Sequence, residues 1–419
     1  MENEIKSNLS NPEKLEKLYR DDRKTFRAAF EKIYPEIENS EAARFWKTRL
    51  DARRKPEIMK VLVPSEITMV IAVCLLVAFL VKIPKLFHAG ISDTLFFEKY
   101  VALIVFSGLT LYTMLIRKIA DIKQIIIASL AFLIPAIYVA VLPANEEADS
   151  LILAYIHRPL LLWFVYGFVY SGFDFRDLNK RTAFIRYNGD LAIVYALIAI
   201  AGGILTAITI GLFSSIGFDI GEFYAENIVM TGAAAAPVVA AFLLEKFPTL
   251  VNRAAQLIAT IFSPLVLLTL VVFLITIAVT GKDPYNDRDF LLVFNIMLLG
   301  VVGIIIFSVS ETSVIRDQKF NAMILFILSI VSVIIDMIAL SAIFYRLGEY
   351  GLTPNRVAVL VSNLLVLTNL ILIMIDLFRI NFKKKEFRIL EITVAKFLPV
   401  YLAWIILVVF AFPLIFGMR

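Results

Sequence analysis

Apolar residues in this chain fall in long unbroken runs. They show neither the alternation of a half-buried strand nor the one-sided stripe of a soluble helix. The runs lie near 65–82, 99–116, 123–142, 151–171, 191–213, 227–244, 256–280, 290–310, 321–345, 354–378 and 392–416. An α-helix needs about 20 residues to cross a hydrocarbon core of about 30 Å, and each run comes close to that length. Within a bilayer the backbone must satisfy its own polar groups, which selects helices over irregular chain. Without strict alternation a transmembrane β-barrel is a poor fit. The pattern predicts an all-α, polytopic transmembrane helix bundle of about 11 spans over residues 64–419.

Residues 1–63 follow a different rule, with charges throughout and apolar residues at helical spacing. Asn11 before Pro12 is a helix start, and Leu15, Leu18 and Tyr19 share one face. Asp21 or Asp22 can cap a second helix bearing Phe26, Phe30, Ile33 and Tyr34, with Pro35 expected to end it. Ser40 can cap a third carrying Ala43, Phe45, Trp46 and Leu50. This predicts a small cytosolic amphipathic helical segment. Two roles fit it: docking a cytosolic protein partner, or lying on the bundle or lipid surface with Arg53, Arg54, Lys55 and Lys60 toward headgroups.

Lys and Arg in the connections set orientation, because basic loops stay cytosolic. After the basic N-terminal segment, alternate loops carry Arg117, Lys118 and Lys123; Arg176, Lys180, Arg181 and Arg186; Lys246 and Arg253; Arg316 and Lys319; and Arg379, Lys383, Lys384, Lys385 and Arg388. The other loops are poor in such residues, except for Lys82, Lys85 and Lys99 in the first. The alternation places the N-terminus in the cytosol and, with an odd span count, the C-terminus outside. It also accounts for the net charge of +5 without nucleic-acid binding. The loop 171–190, with Phe173, Phe175, Phe184 and Tyr187 among its charges, is expected to hold an interfacial helix. Gly202, Gly203 and Gly232, with Ala233 to Ala236, are expected to let helices approach closely.

Ionisable residues inside spans are costly and are therefore functional candidates. Arg158, in His157-Arg158-Pro159, lies about 10 Å in from the outer end of its span, and Asp336 about 14 Å in from the outer end of its own. The similar depths predict a salt bridge between them. Asp336 is then either a proton- or cation-coupling group tuned by Arg158 or half of a fixed structural pair. Asp376 and Lys396, at similar shallow depth on consecutive spans, form a second candidate pair, unless Lys396 snorkels to the interface. Arg356, one turn into a helix begun by Thr353 and Pro354, is a candidate for an anion or lipid headgroup, or for a clasp to Glu349.

Composition removes other classes. Cys74 is the one cysteine, and His88 and His157 are the two histidines, so a cysteine- or histidine-based metal centre and an intrachain disulfide are excluded. No phosphate-binding loop, nucleophile elbow or metallohydrolase pair occurs, which argues against an enzyme and gives no cofactor. The acidic loops around Glu146, Glu147 and Asp149, around Asp219, Glu222 and Glu226, and over Asp283–Asp289 lack calcium-loop spacing and read as solvated.

The stretch Tyr345-Arg346-Leu347-Gly348-Glu349-Tyr350-Gly351-Leu352-Thr353-Pro354-Asn355-Arg356 resembles a motif of uncharacterised bacterial multi-pass membrane families, domains of unknown function. Asn11 to Tyr19, Arg186 to Asp190 and Arg288 to Asn295 look similar to the same families. The resemblance implies a bacterial cytoplasmic membrane, with the lipid bilayer as partner, and carries no activity. Many-span proteins without enzymatic motifs point to a secondary transporter or channel for an ion or small solute, worked by Asp336 near Arg158. The alternatives are a scaffold or sensor acting through residues 1–63, or a lipid- or envelope-handling protein.

Overall fold

The computed structural model describes residues 1–9, 11–52, 64–84, 93–143, 148–215, 219–247 and 318–418, with parts of 263–306. Among these residues every regular element is helical. The chain divides into two compact units, Met1–Val61 and Leu62–Arg419.

The first unit holds α1 (Glu2–Ser7), α2 (Pro12–Asp21), α3 (Arg23–Ile37) and α4 (Glu41–Ala52). The Asn11 side chain accepts the Lys14 N–H at 3.2 Å, and Asp22 accepts the Thr25 N–H at 3.0 Å, so both predicted starts hold. Pro35 does not end α3, which continues to Ile37. Proline costs a helix the bond to the residue four before it, and two residues from the terminus little further helix is lost. The apolar faces turn on one another. Ile5, Leu15, Phe26 and Phe30 are fully buried, and Tyr19 and Trp46 nearly so. Phe26 meets Tyr19 edge-on at 5.5 Å and Trp46 at 5.1 Å, while Arg49 lies over Trp46 and pairs with Glu16 at 2.7 Å. These side chains form a core of their own, leaving Phe45 as the large apolar residue turned outward.

The second unit contains nine helices long and apolar enough to cross a membrane, among the described residues. They are α5 (Pro64–Val81), α6 (Asp93–Ile116), α7 (Ile122–Val141), α8 (Asp149–Tyr170), α9 (Leu178–Ser215), α10 (Gly221–Lys246), α11 (Gln318–Tyr350), α12 (Pro354–Lys383) and α13 (Arg388–Ile415). Nine predicted runs correspond to them. The runs 256–280 and 290–310 lie largely outside the described residues, as do Arg253, Arg316 and the acidic stretch Asp283–Asp289. Leu270, Leu298, Val302 and Ile305, which are described, are buried against α11 and its neighbours.

The outer surface is apolar. On α7, Ile122, Ile126, Ile127, Leu130, Leu133, Ile134, Ile137 and Val141 are all exposed. Soluble proteins rarely present such a continuous apolar face, and lipid tails suit it. The chain is a multi-pass integral membrane protein.

Inside the bundle, α5, α6 and α10 pack together on one side, α11, α12 and α13 on the other, and α8 touches both groups. Close approach at α8 depends on Gly167, where a Cβ would stand 2.5 Å from the Phe184 ring. At Gly202, Gly203 and Gly232 a Cβ would meet no atom of the described residues within 4 Å. The tight packing in that region comes from Ala234, Ala236, Ala240 and Ala241 on α10. A π-turn at Ala225–Val229 loosens the start of α10, and the Lys82 ammonium donates to the Glu226 carbonyl at 2.6 Å and to Asn227 Oδ1 at 2.8 Å.

The segment 171–190 departs from expectation. Gly172 and Phe173 turn the chain in the left-handed region, and from Leu178 a single helix runs 38 residues to Ser215. No proline interrupts it, so the interfacial part and the span are one rod. In the turn, the Lys180 ammonium hydrogen-bonds Asp174 at 3.1 Å and holds its carboxyl below the ordinary carboxylate range.

The self-contained core of the first unit makes a direct prediction. Residues 1–61 alone should unfold cooperatively when followed by far-UV circular dichroism. Phe26→Ala should cost about 3–5 kcal/mol and exposed Phe45→Ala less than about 0.5 kcal/mol. Equal effects of the two substitutions would contradict this core.

Candidate functional site

Two carboxylates sit inside the group formed by α11, α12 and α13, and their surroundings differ. Asp376 on α12 is buried, yet both oxygens are satisfied. Oδ1 accepts from Arg379 Nη1 at 3.1 Å, and Oδ2 accepts from the Thr393 hydroxyl on α13. It fastens two consecutive helices. The expected partner Lys396 is exposed, and Asp376 pairs with Arg379 and Thr393 in its place.

Asp336 lies near the middle of the 33-residue α11 and is 0% exposed. Among the described residues neither of its oxygens has a hydrogen-bond partner. Ser332 and Ser329, one and two turns earlier on the same side, are equally buried, and their hydroxyls turn back to the carbonyls of Leu328 and Phe326. The facing helices supply Asn369 from α12 and Tyr401 from α13. The Asn369 side-chain NH₂ donates to the Tyr401 hydroxyl at 3.0 Å, and Tyr401 is within Coulombic reach of Asp336. Asn369 Oδ1 is buried without a donor. Among the described residues, three buried acceptor oxygens in this group of helices, Asp336 Oδ1 and Oδ2 and Asn369 Oδ1, have no donor. The unpaired Asp336 carboxyl suits a proton or a small cation.

The predicted bridge from Asp336 to Arg158 does not form. Arg158, on α8 and 1% exposed, gives its Nη2 to the backbone carbonyl of Glu98 on α6. Equal depth was the sole basis for that pairing, and α8 presents Arg158 to α6 instead of α11. Arg356 likewise makes a local contact. Its Nη1 donates to the carbonyls of Tyr350 and Gly351 at 2.6 and 2.7 Å, with Thr353 capping α12 through the Arg356 N–H, and the clasp to Glu349 is not used. Those bonds close the turn between α11 and α12, where Gly351 takes a φ of +73°.

Asn369 and Tyr401 carry no charge and so do not stand out in the spans as Asp336 does. A polar amide and a phenol within otherwise aliphatic runs are the signal that would have found them. Lys99 is inconspicuous for another reason. It stands at the edge of an apolar run and was counted as a loop residue, whereas α6 begins six residues earlier, at Asp93, and buries it.

No family model, curated protein or solved structure matches this chain. The chemistry of its buried polar groups is what points to a role.

Proposed function

We propose that the protein is a membrane transporter for an ion or small solute, without enzymatic chemistry, in which Asp336 is the proton- or cation-coupling group. The observation that carries this reading is a fully buried carboxyl at mid-helix with no partner for either oxygen. An ionised, unpaired carboxyl in such surroundings is costly, and a bound proton or cation removes the cost. Binding and release then couple to how α11, α12 and α13 pack, since Asp336 lies in the group these helices form and Asn369 and Tyr401 tie two of them together. Asp376, with both oxygens satisfied, gives the contrast expected of a structural acid.

In liposomes holding a pH-sensitive dye, an imposed ion gradient should drive proton or cation flux through the purified protein. Asp336→Asn should lower that flux at least about tenfold while the protein still folds, as the loss of a coupling group requires. Absence of flux across a panel of monovalent and divalent cations, or equal flux through the Asp336→Asn variant, would overturn the reading.

In the same reading the protein sits in a bacterial cytoplasmic membrane, N-terminus in the cytosol and C-terminus outside. Two of the three lysines that weaken the charge rule in the first outer loop have internal duties. Lys82 holds the π-turn of α10 and Lys99 is buried, so neither acts as a free loop charge. In a Cys74→Ser background, an impermeant maleimide should label Leu352→Cys in intact cells and Lys384→Cys only after permeabilisation. The reverse pattern would invert the topology.

A further inference from the structure

The mirror image of the Asp336 centre lies between α6 and α8. There the buried groups are donors, and acceptors are missing. Arg158 is 1% exposed and Lys99 is 7% exposed. Arg158 uses Nη2 on the Glu98 carbonyl, which leaves Nε and both hydrogens of Nη1 without an acceptor. Among the described residues the one hydrogen bond of the Lys99 ammonium is a long one, 3.4 Å, to the Leu142 carbonyl at the end of α7. Tyr155 is close to both, its ring 5.8 Å from the Lys99 ammonium and 5.5 Å from the Arg158 guanidinium. Its hydroxyl is buried and unpartnered as well.

Charge makes the same point as hydrogen bonding. Lys99 and Arg158 are close enough to repel one another, and among the described residues no carboxylate pairs with either. Glu98 offers its backbone carbonyl, while its side chain is exposed. Truncating one partner of a buried ion pair is strongly destabilising because a charge is left alone. Two like charges left alone together call for a counter-ion.

We propose that Lys99, Arg158 and Tyr155 form a binding site for a phosphate-type oxyanion. Its negative charge matches the two cations, and its several oxygens supply the acceptors that Arg158 Nε and Nη1, the Lys99 ammonium and the Tyr155 hydroxyl lack. Lys99 lies six residues from the start of α6 and Arg158 nine from the start of α8, about 9 and 13 Å along the helix axes. That depth is within reach of a free phosphate entering from the bundle end and of a lipid phosphodiester drawn in from the interface. The site does not depend on the role of Asp336, which belongs to a different group of helices.

The experiment uses the purified full chain and its thermal unfolding. Inorganic phosphate is titrated against chloride at constant ionic strength in detergent. In a second arm, the protein in nanodiscs of phosphatidylglycerol is compared with nanodiscs of phosphatidylcholine. Stabilisation by phosphate identifies a free anion, and stabilisation by phosphatidylglycerol alone identifies a headgroup. In either case Lys99→Met and Arg158→Gln should each weaken the effect at least about tenfold in apparent affinity. Without anion, both variants should be at least as stable as the parent, since each removes an unpaired buried charge. Tyr155→Phe, which keeps the ring, provides a milder variant expected to weaken binding less. No stabilisation in either arm would overturn the site. So would stabilisation that persists in Lys99→Met and Arg158→Gln, or loss of stability in Glu98→Gln equal to breaking an ion pair.

Discussion

In the interior of a helix bundle that crosses lipid, a polar side chain can turn only to another protein group or to something bound. Water is not there to take its place, and an unmatched hydrogen-bonding group costs several kcal/mol. Most of this molecule obeys that constraint. The hydroxyls of Ser329, Ser332, Thr206, Thr209 and Thr368 bond back to carbonyls of their own helices. The Trp404 indole donates to Ser362 at 2.9 Å, Lys246 pairs with Glu66, and Asp376 binds Arg379 and Thr393. Lys82 fills the gap that the π-turn opens in α10.

Among the described residues, buried polar atoms without a partner also occur at Thr110, Tyr112, Ser150, Ser171 and Asp190, and two groups combine several of them with a charge. One centre, Asp336 with Asn369, has acceptors without donors; the other, Lys99 with Arg158 and Tyr155, has donors without acceptors. They belong to different helix groups, and α8 touches both groups. A proton or cation fits the first and an oxyanion fits the second. A bundle with unpaired buried charges of both signs is organised differently from one in which Asp336 and Arg158 neutralise each other.

The spans were legible in the sequence because bilayer thickness imposes a length of apolar residues that needs no knowledge of neighbours. Their limits were less so. Residues 178–190 are polar enough to look like a loop, yet a helix that emerges from the membrane keeps its own hydrogen bonds and continues, so α9 runs 38 residues. The buried charges Asp336 and Arg158 were found for the same reason as the spans, since a charge in an apolar run is conspicuous. Their partners were not found. Position along a helix gives depth, whereas partnership depends on which helix lies alongside and which face it presents. Arg158 thus met the carbonyl of Glu98 and not Asp336, and Asp376 met Thr393 and not Lys396. Lys99 shows the cost of reading boundaries from hydropathy alone, because six further residues of α6 carry it from the loop into the bundle.

The central claim is that the Asp336 carboxyl is held without a protein counter-ion and exchanges its own proton or cation. Infrared spectroscopy of the protein in lipid, in H₂O and D₂O, reads this from the carboxyl stretching bands. The account predicts a band that changes with pH or cation, is absent from Asp336→Asn and persists unchanged in Arg158→Gln. A carboxylate band insensitive to both, or one that shifts when Arg158 is replaced, would show Asp336 to be a fixed structural partner and contradict the account.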